Sequence, residues 1–241
     1  MARQLALDLG SAPALGRGDF LPAPANAAAL SLVDRPQDWP QGRLLLVGPE
    51  ASGKSHIASF WAAEQGARVV RGGALRVDAA DALAPEAGAL VIDDADRVAH
   101  AAGAEQALFH LWNLSAARGT LLLMAARAAP RDWGLVLPDL ASRMASVAVA
   151  RLGAPDEALL GAVLVKLLAD RQLTPGPGVV EALVRHMDRD LALARRLVAE
   201  IDRTALAEGR GVTRPLALDA LARLSGAGGD PAAAETTPRA P

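Results

Sequence analysis

The chain has 241 residues, no cysteine and a formal net charge of −2, with 51% hydrophobic and 22% charged residues. This length allows one large domain or two modest ones. The missing cysteines exclude disulfides, thiolate metal sites and a cysteine nucleophile, and the near-neutral charge excludes a global pull toward nucleic acid.

No apolar run approaches the ~20 residues needed to cross a bilayer. The N-terminus, with Arg3 and then Asp8, lacks the pattern of a secretory signal. A cytoplasmic location without membrane attachment is expected. Residues 1–18 mix Gly, Pro, Ala and scattered leucines, and read as a flexible tail. Residues 24–34 predict a helix with Asn26 as its N-cap, and the prolines and glycine of residues 35–42 predict a loop. Leu44, Leu45, Leu46 and Val47 predict a buried parallel strand over residues 43–47, followed by a helix over 54–65. Further strands are expected at 69–70, 89–92, 120–124 and 147–149. Leu108, Leu111, Trp112 and Ser115 give helical spacing over 105–118.

Strands alternating with helices predict an α/β fold, a parallel sheet covered on both faces, over residues 19–152. The pattern then changes. Pro155 is expected in the first turn of a helix, with Asp156 and Glu157 beside it. Apolar stripes follow at Val179, Val180, Leu183, Val184 and Met187, at Leu193, Leu197, Val198, Ile201 and Ala205, and at Leu218, Leu221 and Leu224. They predict a small all-α domain over 153–225. The Gly-, Ala-, Pro- and Thr-rich residues 226–241 predict a disordered tail.

Gly48-Pro49-Glu50-Ala51-Ser52-Gly53-Lys54-Ser55 fits G-x-x-x-x-G-K-[ST], with a strand before it and a helix after it. The glycines let backbone N–H groups turn inward on a phosphate, and the helix start adds a positive dipole end. Pro49, Ala51 and Ser52 supply the rest of that cradle. Lys54 would reach the outer phosphates and the Ser55 hydroxyl a Mg²⁺ ion. Leu90-Val91-Ile92-Asp93-Asp94 is an apolar strand ending in acid. Asp93 would hold Mg²⁺ and Asp94 would sit near the attacking water. The cofactors expected are ATP or ADP with Mg²⁺. His56, His100, His110 and His186 have no metal-ligand spacing.

Several stretches resemble the DnaA-like branch of the AAA+ ATPases: Asp94 after Asp93; Asp19-Phe20-Leu21 with Pro24-Ala25-Asn26, similar to the box where the chain approaches the adenine; and Leu108-Phe109-His110-Leu111-Trp112-Asn113, similar to the helix after the acidic strand. Leu137-Pro138-Asp139-Leu140-Ala141-Ser142-Arg143 resembles the signature of the Hda group, the DnaA-homologous regulators. The resemblance, over roughly residues 3–224, implies an AAA+ parallel-sheet domain followed by an α-helical lid. It implies that Arg143 is an arginine finger acting in trans on a neighbour's nucleotide, a role worth ~10³–10⁵ in rate. It also implies that Arg189, in Met187-Asp188-Arg189-Asp190, is the lid arginine that senses nucleotide, and that Asn26 lies on the adenine side.

Gln4, Leu5, Leu7 and Leu9 resemble the peptide by which replication proteins dock on the sliding clamp, the β subunit of DNA polymerase III. The chain ends 16 residues after residue 225 with no basic recognition helix, so direct reading of origin DNA is not expected. Met124, Ala125 and Ala126 stand where active AAA+ ATPases carry a polar residue that orients the attacking water. Weak or no intrinsic hydrolysis is therefore expected. Together these imply a regulator of replication initiation that, with DNA-loaded clamp, stimulates ATP hydrolysis by DnaA. The alternatives are an autonomous loader-type ATPase and a scaffold that binds nucleotide only for stability. Homo-oligomerisation is left open.

Overall fold

The computed structural model describes residues 15–226. The Gln4–Leu9 peptide and residues 227–241 lie outside the described residues. The chain divides after Gly153 into two units.

The first unit is built on five parallel strands: β1 (Arg43–Val47), β2 (Arg68–Arg71), β3 (Ala89–Asp93), β4 (Leu121–Ala126) and β5 (Ala148–Arg151). Their order is β2-β3-β4-β1-β5. The helices between them are α1 (Ala27–Val33), α2 (Lys54–Gln65), α3 (Ala80–Leu83), α4 (Ala104–Arg118) and α5 (Pro138–Ala145). Apart from Arg43 at the start of β1 and Asp93 at the end of β3, the central strands are apolar because both faces are covered. Leu44 and Leu46 join α1 and α2 in one core, while Leu45 and Val47 join α4 and α5 in the other. This period-two division of one strand between two cores fixes its register, since a one-residue slip would exchange both sets.

Position 120 lies before β4 rather than in it: the Thr120 hydroxyl donates to the Pro85 carbonyl instead. The segment preceding α1 is also more firmly held than a tail. Arg17 donates from Nε to Glu64 (2.5 Å) and from Nη1 to Asp34 (2.6 Å), and its guanidinium lies 4.5 Å from the centroid of Phe60.

Among the described residues the second unit is four helices, α6 (Glu157–Asp170), α7 (Val179–His186), α8 (Leu191–Glu208) and α9 (Arg214–Gly226). Their shared core contains Leu160, Leu164, Leu183, Leu197, Ile201 and Leu221. Pro155 is not in the first turn of α6. Asp156 is the N-cap and accepts from the Leu159 N–H at 2.7 Å, so the proline precedes the cap. Asp190 caps α8 in the same way, accepting from Ala192 and Leu193. Among the described residues no helix is long and apolar enough to cross a membrane.

Candidate nucleotide-binding site

In a parallel sheet all strands end on one edge, and the loops there face a common crevice at the topological switch point. That edge carries the residues after β1 (the phosphate loop), at the end of β3 (Asp93) and after β4 (Arg127). β4 lies between β1 and β3, with Val47 opposite Ala126 and Ile92 opposite Met124.

The phosphate loop is tightly specified. A Cβ on Gly48 would lie 2.6 Å from the Leu152 carbonyl oxygen and 2.8 Å from Ser52 Oγ. Gly53 has φ +96°, and a Cβ there would press on the Phe20 ring at 3.2 Å. Ala51, with φ 58°, adopts the left-handed region without being glycine, a strain of about 1 kcal/mol or more that functional loops retain. Lys54 begins α2. Its Nζ donates to the carbonyls of Gly48 (2.8 Å) and Pro49 (2.6 Å), and to Ser52 Oγ at 3.4 Å. Burial pushes its pKa down. Asp93, Asp96 and Asp94 oppose that shift, and Arg127 adds to it.

This arrangement fits a nucleotide's phosphates. The cradle has no room for side chains, and a buried ammonium curls over it. A magnesium ion would take the exposed Ser55 hydroxyl and Asp93 as its protein ligands. Among the described residues no group of three His, Asp or Glu is placed to hold a metal by itself. The phosphates and water would therefore complete the shell, as is usual for Mg²⁺. Asp96 Oδ1 is buried without a hydrogen-bond partner among the described residues.

Asp93 Oδ1 accepts the Asp94 N–H at 3.0 Å. Asp94 turns into the left-handed region, φ 49°. Its carbonyl would be 2.5 Å from a Cβ on Gly72, so that glycine is what admits the turn. The Asp94 carboxylate lies 3.9 Å from Arg71 and 3.8 Å from Arg97. Two cations thus hold the side chain expected near the attacking water.

Asn26 is buried, but its side chain does not cap α1. Oδ1 accepts from the Ala23 N–H at 2.8 Å and Nδ2 donates to the Leu21 carbonyl at 3.1 Å. The cap is displaced because the carboxamide braces the preceding loop, whose Phe20 ring packs edge-on against His56 and Phe60 of α2. Asn26 therefore shapes the segment beside the phosphate loop.

Arg143 is not brought to the phosphate loop. It stands in the last turn of α5, two residues before Ala145. The chain then enters β5 at Ala148, opposite Leu44 near the start of β1. Its charge acts on Arg43, the first residue of β1, lowering that pKa further after burial has lowered it. Arg143 thus belongs to the edge where strands begin, while Lys54 follows the edge where they end. The five residues of β1 separate these edges by about 15 Å. The Arg143 guanidinium lies 4.9 Å from the centroid of Phe109. Arg189 lies in the second unit, in the turn before α8, where Nη2 donates to Glu157 at 2.9 Å.

Two residues with clear roles here were not singled out by the sequence. Glu105, in the first turn of α4, is buried and accepts from the N–H groups of Val136 (3.1 Å) and Leu137 (2.7 Å), fixing the start of α5. Arg127 bonds the phosphate loop itself, with Nη1 3.0 Å from Glu50 Oε2.

Solved structures share this architecture. Domain III of DnaA from Thermotoga maritima superposes with a TM-score of 0.72 at 20% identity, covering 88% of this chain and 97% of that one. AMPPCP-bound DnaA from Aquifex aeolicus gives 0.63 at 14% identity, covering 90% and 70%. RuvB from Thermotoga maritima gives 0.67 at 17%, covering 87% and 72%. No protein-family model and no curated protein sequence matches the chain. The fold is that of an AAA+ ATPase domain. In fold it resembles domain III of DnaA.

Proposed function

We propose that this chain is a nucleotide-binding regulator of replication initiation of the Hda kind. In this reading ATP or ADP with Mg²⁺ is held by Gly48, Gly53, Lys54, Ser55 and Asp93. A peptide at Gln4, Leu5, Leu7 and Leu9 docks on DNA-loaded sliding clamp. Arg143 is offered to the nucleotide of DnaA, which hydrolyses its ATP and becomes inactive.

The observation that carries the reading is the place of Arg143. It lies across the sheet from its own phosphate loop and within the Leu137 to Arg143 signature, which supports a role toward a nucleotide on a neighbouring molecule. A guanidinium delivered in trans stabilises the charge on the equatorial oxygens of the transition state. Met124, Ala125 and Ala126 are all fully buried, and none can orient a water molecule. Slow turnover of the protein's own nucleotide, with a long-lived ADP-bound form, follows. Asp94, Asn26 and Arg189 are assigned to the water side, the adenine side and the lid of that site.

The test is hydrolysis of ATP pre-bound to DnaA, with and without DNA-loaded clamp. Stimulation should require the clamp and be lost in Arg143→Ala and in Gln4→Ala/Leu5→Ala. Untouched DnaA-bound ATP beside brisk turnover by this protein alone would instead identify an autonomous, loader-type ATPase.

A further inference from the structure

We propose that Arg17 is a positioning residue for the phosphate loop: it clasps residues 16–20 along α2 as a strap, and the seated strap and a bound nucleotide favour the same loop conformation. This rests on the nucleotide-binding reading above and adds to it a coupling between the segment before α1 and the affinity for phosphate.

α2 grows directly out of the phosphate loop, and the strap follows one stripe of it. Gly53, His56, Phe60 and Glu64 are spaced by three, four and four residues, so they share a helix face. Each of them meets the strap. The Phe20 ring sits over Gly53, where a Cβ would lie 3.2 Å from it, and packs edge-on against His56 and Phe60. His56 Nε2 donates to the Gly16 carbonyl at 3.0 Å. The Arg17 guanidinium lies over the Phe60 ring and reaches the Glu64 carboxylate with two nitrogens, at 2.5 and 2.8 Å. Its third nitrogen donates to Asp34, the C-cap of α1, at 2.6 Å. One guanidinium thus ties the strap to both helices. The turn of the strap itself is closed by the N–H groups of Asp19 and Phe20, which donate to the Gly16 and Arg17 carbonyls at 3.0 and 3.1 Å.

The contact with Gly53 gives the strap its hold on the loop. Gly53 has φ +96°, a backbone that residues with side chains rarely adopt. The Phe20 ring fits there only while residue 53 keeps that backbone and carries no side chain. A phosphate seated on inward-turned N–H groups stabilises the same loop conformation. Two contacts that favour one conformation strengthen each other by the same factor. The clasp is specific. Its bond to Glu64 raises the Arg17 guanidinium above its ordinary value, and the bond from Arg17 holds the Glu64 carboxyl below the usual carboxylate range. It is also releasable. The side chains of Arg17, Glu64 and Asp34 are 38–43% exposed, and ion pairs so open to water contribute little. The strap can therefore lift without unfolding of the sheet, and its seating depends on the state of the loop.

The experiment is hydrogen exchange of the full chain, read on the Asp19 and Phe20 amides, beside calorimetric titration with Mg²⁺–ATP and Mg²⁺–ADP. In the wild type either nucleotide should slow exchange of those two amides by about three- to tenfold. Arg17→Ala should weaken both nucleotides alike, by about three- to tenfold, and the strap should no longer respond to saturating nucleotide. Glu64→Gln with Asp34→Asn, which keeps Arg17 but removes its ion pairs, should produce both effects more weakly, and it carries the test alone if Arg17→Ala fails to fold. The three changes combined should be no worse than Arg17→Ala, because they break one clasp. A residue serving stability alone would lower the unfolding midpoint and leave the exchange response to nucleotide intact. Strap exchange that ignores saturating nucleotide in the wild type, or wild-type affinity in Arg17→Ala, would overturn the proposal while leaving nucleotide binding intact. Wild-type protein that binds neither nucleotide would overturn the site reading itself, and this inference with it.

Discussion

Glu105 is the residue whose removal should uncouple α5 from the rest of the first unit. Its carboxylate is buried in the first turn of α4 and accepts two backbone N–H groups at the start of α5, from Val136 and Leu137. Hydrogen bonds to a charged acceptor contribute ~1.5–3 kcal/mol each. Val136 is 82% exposed, so water can satisfy its N–H when the carboxylate is lost. The full penalty then falls mainly on Leu137. Glu105→Ala should therefore cost about 2–3 kcal/mol, a fall of roughly 4–12 °C in midpoint for a chain of this size. Glu105→Gln keeps one acceptor oxygen and loses the charge, so about half that cost is expected. Urea and thermal unfolding measure these values. Under the proposed function the consequence should be larger than the stability loss, because Arg143 rides on α5 and packs on Phe109, one turn beyond Glu105 on α4. At a temperature where both variants are folded, stimulation of DnaA-bound ATP hydrolysis should fall at least tenfold in Glu105→Ala, a drop expected when a catalytic group is displaced by about an ångström. A stability change under about 0.5 kcal/mol, or full stimulation by the Ala variant, would refute the view that this carboxylate positions the Arg143 helix.

Two further outcomes follow from contacts already described. Asn26→Ala leaves the Ala23 N–H and Leu21 carbonyl without their buried partner. It should cost about 1–3 kcal/mol and weaken nucleotide binding through the loosened Phe20 segment, as measured by denaturation and titration in parallel. In the second unit, Glu200 receives Arg203 at 2.7 and 3.0 Å and Arg223 at 3.2 Å, and these bonds, Arg203 first, hold its carboxyl below the ordinary range. A carboxylate depressed by folding contributes stability above its unfolded pKa, near 4.3, and loses it as pH falls through the folded value. Glu200→Gln should therefore lower stability at pH 7 and flatten its decline below about pH 4.5. Parallel pH–stability curves for both proteins would count against the assignment.

Much of this fold could be read from local pattern. β1 and α2 carry uninterrupted apolar and helical signals around a glycine-rich loop, and the structure places them at Arg43–Val47 and Lys54–Gln65. What escaped depends on residues distant in sequence. Arg127 follows an apolar strand, and its relation to the phosphate loop exists only through the pairing of β4 with β1. A search for a polar residue inside the strand passes over it. Glu105 has the composition of an ordinary acidic first turn, and only the return of the chain 31 residues later buries it. Asn26 obeys the local preference for capping until Leu21 and Ala23 offer its carboxamide better partners. α5 is short, and its eight residues carry the signature in place of a long apolar stripe.

The arginines at the opposite edge of the sheet explain why Arg143 would be available to a partner. Arg43 is 2% exposed, and its hydrogen bonds go to neutral acceptors, Gln41 Oε1, the Trp112 carbonyl and Ser115 Oγ. Its guanidinium lies 4.1 Å from the centroid of Trp112, while that of Arg143 lies over Phe109, three residues earlier on α4. One helix face thus presents two rings to two cations that repel each other. Ring faces attract guanidinium weakly compared with a carboxylate, at roughly 0.5–1 kcal/mol for exposed pairs, so they orient the group without neutralising it. The buried charge of Arg43 penalises any inward collapse of Arg143. An anion approaching from outside relieves that repulsion, and a nucleotide phosphate on a neighbouring molecule is such an anion. Under the proposed function, replacing Arg43 by a neutral residue would remove that repulsion and weaken the stimulation that Arg143 gives, although Arg43 itself is buried.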